Sequence, residues 1–462
     1  MSQNTRYLTR QLADFVAGLR YDDIPSREVE YAKKCVIDAL GNMIYGRYSQ
    51  MGKQIMGYSK ATRIKPVYEE EVTVLGEQEL FAKETAIFAH AVMARSGDLD
   101  DGSRVAMGHP GAVLVPLALT MAELYKTSGK ELITALVAGY DIYVRLGEAL
   151  SPYMYRERGI EPTGVCGAVA AAAVAGKIMG ETAEQLKNAM GIASLFPGSL
   201  IEYQNDGTSG KALCCGWAAL NGLRAAQLAE YSFTGPNKAL EGNNGFLQAF
   251  MGSKMNPDGI VKDLGSDFRI DEVYFKRHAC MRGMHAAVDA LLWLREQYGL
   301  SIENVASIDV YTTQFLKRLS NPAPETTIGA QCSLEFVLAA ALKHGHLYTE
   351  DTMAGSLKDE QVLALARNIN IIKDKEVEKY LQANPTHWTA ARVSIQRKDR
   401  TQYEKWNPTP EGDTQSPFHY GTLCEKFKRL TSTTTFNTAS NRLCDAVSTL
   451  EDLDKIESLL RI

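Results

Sequence analysis

The chain has 462 residues, of which 45% are apolar and 23% are charged, and its formal net charge at pH 7 is −5. These values are ordinary for a globular protein, so they exclude a largely disordered chain, and the length predicts two or three domains. The mild negative charge and the lack of a long basic run argue against nucleic-acid binding as the main function.

Neither a signal peptide nor a membrane span is predicted from the apolar residues. The N-terminal segment lacks an apolar core, and the longest apolar run, 168–175, is far shorter than the ~20 residues that a membrane-spanning helix needs. We therefore predict a cytoplasmic protein without a membrane partner.

Cysteine spacing argues against a metal or iron–sulfur centre built on thiolates. The eight cysteines are scattered along the chain, and none of them form a CxxC pair. We expect them to be reduced and mostly structural. They are Cys35, Cys166, Cys214, Cys215, Cys280, Cys332, Cys424 and Cys444.

Helical patterns dominate the first half of the chain. Apolar residues recur at helical spacing from about residue 5 to residue 249, which predicts an all-helical domain over 1–265. The segment 162–179 is so rich in alanine and glycine that neighbouring helices must approach it closely. Its glycines do not form a GxGxxG fingerprint, and no GxxxxGK[ST] motif exists, so a familiar nucleotide-binding loop is not expected.

Three carboxylates and a histidine lie in one short loop between the apolar helical patterns 79–93 and 112–124. They are Asp98, Asp100, Asp101 and His109. Loops held by rigid helices often carry catalytic groups, although a solvated capping loop explains the pattern about as well. The spacing fails the calcium-loop pattern, because Gly102 comes one residue early and His109 occupies the position of the bidentate Glu. We therefore predict no metal ion here.

Two cationic segments follow. Lys211 lies in a glycine-punctuated loop before the helical pattern 216–229, where its ammonium could face an anion, although an ordinary surface lysine fits the sequence alone better. The second segment suits carboxylate recognition, with a solvated basic turn as an equally good alternative. It contains Lys276, Arg277, His278, Arg282 and His285.

The pattern changes near residue 265. Segments 307–313 and 391–397 alternate apolar and polar residues as half-buried strands do, and helical stretches lie between them at 286–296 and 334–342. We predict a separate α+β domain over 266–405. A C-terminal helical segment, 406–462, is expected to return to the first domain, so the fold class is mainly α with an inserted α+β domain.

The acidic loop, the two cationic segments and several further motifs resemble the MmgE/PrpD family, which includes 2-methylcitrate dehydratases, cis-aconitate decarboxylases and iminodisuccinate epimerases. The resemblance covers nearly the whole chain and depends on the number and order of its motifs. These are Val36–Gly41, His90–Ala112, Glu161–Gly164, Lys211–Ala219, Glu241–Phe246, Phe275–His285, Asn321–Pro324 before Ser333–Phe336, and Gly412–Asp413.

The resemblance implies a large helical domain with an inserted α+β domain, a homodimer, and an active site in a cleft between the domains that works without a metal or organic cofactor. Carried over by position, Asp98, His109, Lys211 and Lys276 match residues that line this cleft.

The chain departs from the family pattern at three positions. Glu161 stands before Pro162 where decarboxylases and many dehydratases have a histidine, Cys214 stands where many members have a histidine, and Met281 replaces a histidine of the decarboxylases. These departures make cis-aconitate decarboxylation the least favoured of the family reactions. Glu161 could replace the lost imidazole as an acid or base if its pKa were raised.

The sequence thus favours a cofactor-independent, 2-methylcitrate dehydratase-like lyase that eliminates water from a small hydroxy-polycarboxylate. His109 is assigned as general acid/base, oriented by Asp98, with Glu161 as a secondary acid/base. The groups assigned to bind the substrate or stabilise its developing charge are Lys211, Lys276, Arg282, Asp101 and His285. Two alternatives stay open: an epimerase or isomerase of a dicarboxylate, and a non-catalytic helical dimer that binds a metabolite.

Overall fold

A computed structural model describes residues 7–62, 71–252, 257–384 and 388–461. The chain divides into two compact units. The first unit takes Met1–Ile201, Gly210–Tyr274 and His419–Ile462, and the second takes Glu202–Ser209 and Phe275–Phe418.

The predicted fold class is confirmed, because about 59% of the structure is helical and a small mixed sheet accompanies the helices. The helices are α1 (Leu8–Gly18), α2 (Ser26–Tyr48), α3 (Gln50–Ala61), α4 (Lys83–Arg95), α5 (Gly111–Tyr125), α6 (Gly129–Leu150), α7 (Tyr153–Arg158), α8 (Pro162–Ile178), α9 (Ala183–Ala193), α10 (Tyr203–Asp206), α11 (Gly210–Glu230), α12 (Phe246–Met251), α13 (His285–Tyr298), α14 (Gln314–Arg318), α15 (Thr327–Gln331), α16 (Leu334–His344), α17 (Glu360–Ala366), α18 (Lys375–Ala383), α19 (Tyr420–Thr431), α20 (Ser440–Ser448) and α21 (Glu457–Leu460). The strands are β1 (Glu71–Thr73), β2 (Leu80–Ala82), β3 (Gly102–Ser103), β4 (Val273–Tyr274), β5 (Val305–Thr312), β6 (Ile369–Lys373), β7 (Ala391–Arg397) and β8 (Gln402–Asn407).

Helix α8 forms the centre of the first unit. Its residues from Pro162 to Gly176 are all buried, and it packs against α5, α6, α9 and α11. The small side chains allow backbones to approach closely: a Cβ on Gly222 of α11 would lie 2.4 Å from the Cβ of Ala171 and 2.6 Å from the amide nitrogen of Ala172. The close packing expected from the alanine-rich sequence is therefore present.

The C-terminal helix α19 packs against α2 within the first unit. Phe427 of α19 lies over Gly41 of α2, where a Cβ would come within 3.0 Å of its ring. The ammonium of Lys426 lies 2.6 Å from Asp38 Oδ1 and 2.5 Å from the carbonyl oxygen of Leu99. This lysine therefore ties the end of the chain to the acidic loop after α4.

The second unit is built on a four-stranded sheet with the strand order β6-β5-β7-β8. Strands β5 and β6 are parallel, and the other neighbouring pairs are antiparallel. Val310 of β5 lies opposite Ile371 of β6 and Val393 of β7, and these buried side chains belong to one apolar core with residues of α13 and α16. The alternation seen in the sequence corresponds to β5 and β7.

The second unit extends beyond the interval 266–405 expected for the α+β domain. Strand β8 ends only at Asn407, and the amide of Phe275 donates to the carbonyl of Gly412, which keeps the following residues in the same unit. The three-part division 1–265, 266–405 and 406–462 stays a prediction. Of the helices that the structure describes, none is both long and apolar enough to cross a membrane.

Replacing Gly222 with alanine tests the α8–α11 packing. Because the added methyl group meets backbone and Cβ atoms of α8, we expect the free energy of unfolding to fall by about 1–3 kcal/mol. Gly57 of α3 is the matched control, since a Cβ there meets no atom within 4 Å. Gly57→Ala should stabilise the protein by about 0.5–1 kcal/mol through helix propensity. Chemical denaturation measures both values, and equal effects of the two substitutions would contradict the packing.

Candidate active site

The acidic loop joins the end of α4 to the start of α5 and is held by a short ladder between β3 and β4. Asp98 and Met107 adopt left-handed backbone conformations, with φ of 51° and 53°. Aspartate tolerates this conformation better than most residues, whereas at methionine it is uncommon. The side chains of Asp98, Asp100 and Asp101 are only 1–2% exposed. The alternative of a solvated capping loop is therefore wrong.

Arg95, the last residue of α4, connects two of the carboxylates. Its Nη1 lies 2.9 Å from Asp98 Oδ1 and 2.8 Å from Asp100 Oδ1. Lys211, near the start of α11, places its Nζ 2.8 Å from Asp98 Oδ2. Two cations thus compensate two buried carboxylates, which would otherwise be very costly to remove from water. Lys211 is buried, so the alternative of an ordinary surface lysine is wrong.

His109 is fixed through its Nδ1 atom. This nitrogen lies 2.6 Å from the carbonyl oxygen of Asp101 and 3.2 Å from Asp100 Oδ2. Both partners are acceptors, so Nδ1 carries the proton of the neutral ring and Nε2 holds the lone pair. The imidazole retains 12% exposure, against 1–2% for the carboxyl groups beside it, which makes it the more accessible group.

The backbone of His109 is tied to the start of α8. Its amide donates to Thr163 Oγ1 at 3.1 Å, and the Thr163 hydroxyl donates to Glu161 Oε1 at 2.5 Å. Glu161 is buried and precedes Pro162, which occupies the first turn of α8. Glu161 is therefore linked to the backbone amide of His109 through the Thr163 hydroxyl. The bond to Glu161 orients this hydroxyl so that its oxygen accepts from the amide.

Asp101 uses both of its carboxyl oxygens within the protein. Oδ1 accepts from the amide of Gly111 at 2.8 Å, and Oδ2 accepts from the hydroxyl of Tyr140 at 2.7 Å. Burial raises the pKa of Asp101 to about 8, the bond from Tyr140 opposes this shift, and nearby Asp38 adds to it. Asp101 contacts the start of α5 through its carboxyl group and His109 through its carbonyl oxygen. These contacts favour a positioning role over the substrate contact expected from the sequence.

The basic segment of the second unit forms a buried cluster of its own. Nη2 of Arg282 donates to Asp413 Oδ2 at 2.8 Å, and Nη1 lies 3.4 Å from His285 Nδ1. The other ring nitrogen of His285 lies 3.2 Å from the carbonyl oxygen of Cys280. Burial, with the cations of Arg282 and Lys276 and with His278 nearby, holds the pKa of His285 well below its usual value.

The alternative of a solvated basic turn is wrong for four of the five residues, because Lys276, His278, Arg282 and His285 are buried. Arg277 is exposed and pairs with Glu411. The ion pair with Asp413 and the complete burial of His285 favour structural roles for Arg282 and His285. Substrate binding by Lys276, Arg282 and His285 stays a prediction.

Sequence reasoning missed several residues that shape the site. The carboxylate contact recorded at the His109 ring comes from Asp100, and Asp98 lies between Arg95 and Lys211. Orientation of His109 by Asp98 stays a prediction. The signal for Arg95 is its position three residues before Asp98 and five before Asp100, within reach of both carboxylates. Thr163 lies within the motif Glu161–Gly164, but its contact with His109 does not follow from the sequence, because the two residues are distant along the chain.

His90 opens the loop motif but belongs to the core. Its Nε2 accepts from the amide of Leu75 at 3.0 Å, and its Nδ1 lies 3.0 Å from Thr120 Oγ1. The Thr120 hydroxyl donates to the carbonyl of Pro116, so its oxygen accepts from His90. Burial lowers the pKa of His90 to about 3, which keeps the ring neutral. None of the eight cysteines forms a disulfide bond, and no group of three metal-ligating side chains is found among the described residues.

Comparison with protein families gives two matches. The MmgE/PrpD N-terminal domain matches residues 10–258, and the MmgE/PrpD C-terminal domain matches residues 278–452. The first match alone covers more than half of the chain and includes the whole acidic loop, Glu161, Thr163 and Lys211.

Full-length relatives carry related names. A cis-aconitate decarboxylase-like protein of Aspergillus oryzae is 25% identical, with 98% of this chain and 97% of the relative aligned. The cis-aconitate decarboxylase of Aspergillus terreus is 24% identical over 98% of this chain and 95% of its own length. The cis-aconitate decarboxylase of Homo sapiens is 24% identical over 97% of this chain and 92% of its own length.

The raised pKa of Asp101 predicts a pH-dependent stability. The folded protein binds this proton more tightly than the unfolded chain, in which the carboxyl group has a pKa of about 3.9. Its contribution is therefore complete below about pH 4 and is lost as the pH rises towards 8. Asp101→Asn, which mimics the protonated group, should make the free energy of unfolding fall less steeply over this range, by at most about 1.4 kcal/mol per pH unit. Denaturation at several pH values checks this, and parallel curves for the two proteins would contradict it.

Proposed function

The chain belongs to the MmgE/PrpD family, and on this premise we propose that it is a lyase that eliminates water from a small hydroxy-polycarboxylate. The relatives named as decarboxylases support lyase chemistry in general. Elimination of water is more specific than this general support and is proposed from the residues of the site. Independence from cofactors and a cytoplasmic location stay predictions from the sequence.

The geometry of His109 carries the proposal. A ring whose Nδ1 donates to two acceptors holds its lone pair on Nε2, so it is ready to take a proton from carbon. The negative charge of Asp100 beside Nδ1 stabilises the imidazolium that forms. Removal of a proton next to a carboxylate needs such a base, because the proton is weakly acidic.

Lys211 is the group best placed to meet the charge that develops on the substrate. Its ammonium already contacts Asp98, which fixes the lysine side chain at the acidic loop and leaves two further N–H donors. A substrate carboxylate bound there would become more enolate-like as the proton leaves, and a positioned cation stabilises that charge. Lys276 and Arg282 stay candidates for additional carboxylates.

The reaction then proceeds in two balanced steps. His109 Nε2 takes the proton from the carbon next to the bound carboxylate, and the electron pair of the C–H bond moves into the enolate-like system. The C–O bond to the β-hydroxyl breaks, and the hydroxyl leaves as water with the proton that the imidazolium returns. The products are an unsaturated acid and water, and His109 is neutral again.

Decarboxylation is a second candidate, and the names of the relatives favour it. There the C–C bond to a carboxylate would break and protonated His109 would deliver a proton to the resulting carbanion. The sequence favours dehydration at Glu161, Cys214 and Met281, where this chain lacks imidazoles that other members of the family carry. The protonation state that His109 starts from therefore distinguishes the two reactions.

Proton NMR in D2O tests the proposal with a panel of acids: 2-methylcitrate, citrate, cis-aconitate and tartrate-like compounds. Loss of a C–H signal with growth of a vinyl signal and no CO2 supports dehydration. Release of CO2 supports the second candidate. Solvent deuterium in unchanged substrate would instead indicate an epimerase, and binding without turnover or exchange would indicate a metabolite-binding protein.

His109→Gln should lower turnover by about 100-fold or more, because glutamine cannot accept the proton. His344→Gln is the control, since His344 is partly exposed and lies outside the acidic loop. Initial rates with the best substrate from the panel give the comparison, and circular dichroism checks the fold. Wild-type turnover in His109→Gln would remove His109 from the mechanism.

We also propose that two copies of the chain associate through an apolar surface of the first unit. Trp217 and Leu228 lie on the outer face of α11 and are 59% and 40% exposed. Asn221, between them on the same face, donates to the carbonyl of Phe196, whose ring is 73% exposed. A group of large exposed apolar side chains is typical of an interface, and a second copy is the occupant that the sequence-based expectation of a homodimer favours.

Phe196→Asp should weaken this association at least tenfold, because it places a charge within the apolar surface. Tyr58→Asp, at another exposed aromatic residue on α3, is the matched control. Sedimentation equilibrium measures the dissociation constant of each variant. A monomeric wild-type protein, or a dimer equally sensitive to both substitutions, would contradict the proposed interface.

A further inference from the structure

Asp100 lies between Arg95 and His109 and belongs to a continuous chain of charged contacts. The chain runs from Lys211 Nζ to Asp98 Oδ2 at 2.8 Å, and from Asp98 Oδ1 to Arg95 Nη1 at 2.9 Å. It continues from Arg95 Nη1 to Asp100 Oδ1 at 2.8 Å, and from Asp100 Oδ2 to His109 Nδ1 at 3.2 Å. One oxygen of Asp100 therefore faces the guanidinium, and the other faces the imidazole.

The two acceptors at His109 Nδ1 differ in charge. The carbonyl of Asp101 is closer, at 2.6 Å, and is sufficient to hold the Nδ1–H tautomer. It carries no net charge, whereas the Asp100 carboxylate is negative and 1% exposed, so its field at the ring is little screened by water. The carbonyl selects the tautomer, and the carboxylate favours the protonated ring.

Other charged groups near Asp100 are already compensated. Asp38 of α2 faces Lys426 of α19 at 2.6 Å, and Asp98 faces Arg95 and Lys211. Asp101 binds Gly111 and Tyr140. Asp100 and Asp98 both contact Arg95. The second oxygen of Asp100, Oδ2, is the carboxylate oxygen recorded at the imidazole of His109.

We infer that Asp100 is a positioning residue that sets the basicity of His109, while the Asp101 carbonyl fixes its tautomer. The inference rests on the proposed function, in which His109 takes a proton from carbon. Arg95 holds Asp100 in place through the same Nη1 atom that contacts Asp98. In this role Asp100 acts through His109 and not on the substrate.

Asp100→Asn tests this role by removing the charge and keeping the size. Without the carboxylate the imidazolium loses its stabilisation, so the acidic limb of the kcat/KM–pH profile should move to lower pH by about one unit. The maximal kcat should fall roughly 10- to 100-fold, because the base is weaker, while KM changes little. Asp100→Glu, which restores the charge, should return the limb towards its wild-type position.

Asp141→Asn is the matched control. Asp141 is a fully buried aspartate of the first unit that faces Arg145 at 2.7 Å, and it has no recorded contact with the acidic loop. Its substitution should lower stability and leave the acidic limb where it is in the wild type. If Asp100→Asn also left the limb unchanged, Asp100 would be a structural residue only.

A second measurement keeps this inference separate from the proposed function. The carbon-bound protons of His109, assigned with His109→Gln, report its protonation by NMR in the absence of substrate. A lower titration midpoint in Asp100→Asn than in the wild type supports the role of Asp100 even if no acid in the panel is turned over, in which case the proposed function alone fails. Equal midpoints overturn the inference whatever the activity.

Discussion

The ion pairs of Arg95 allow two aspartates to be buried side by side in one loop. Carboxylates with almost no exposure repel one another and lose their hydration, so they require a cation that contacts both. Arg95 meets this requirement from the end of α4, and Lys211 adds a second positive charge from α11. Removing one partner of such a buried pair typically costs about 3–5 kcal/mol, so the loop depends on these contacts for its shape.

Helix packing brings these cations to the loop. Helix α11 approaches α8 closely because glycine and alanine meet at their crossing, and it also packs against α4. Lys211 and Arg95 are thereby placed on neighbouring helices that converge on the acidic segment. From α8, Thr163 and Glu161 reach the backbone of His109. The small residues of α8 therefore act on the site indirectly, by setting the distances between the helices that carry it.

Opposite environments separate the histidines of this protein. His90 and His285 are buried, with pKa values lowered by desolvation, and each has protein partners at both ring nitrogens. His109 instead has both recorded acceptors at Nδ1, a neighbouring carboxylate, and some access to solvent. Among these three rings, this combination suits only His109 for proton transfer with a small molecule.

The mainly helical class, the α+β segment with its strands near 307 and 391, and the candidate residues of the acidic loop can all be predicted from the sequence. These follow from local periodicity and residue type, which are properties of short stretches of chain. The contacts of Asp100 with His109, of Asp98 with Lys211, and of Asp101 with the amide of Gly111 at the start of α5 become visible only in the tertiary structure. Such pairings join residues from different helices, or depend on the left-handed turn at Asp98, and spacing along the chain does not specify which oxygen faces which nitrogen. The burial of the loop is likewise a tertiary property. The sequence is compatible with a solvated loop, whereas in the structure its carboxylates are buried and paired with cations.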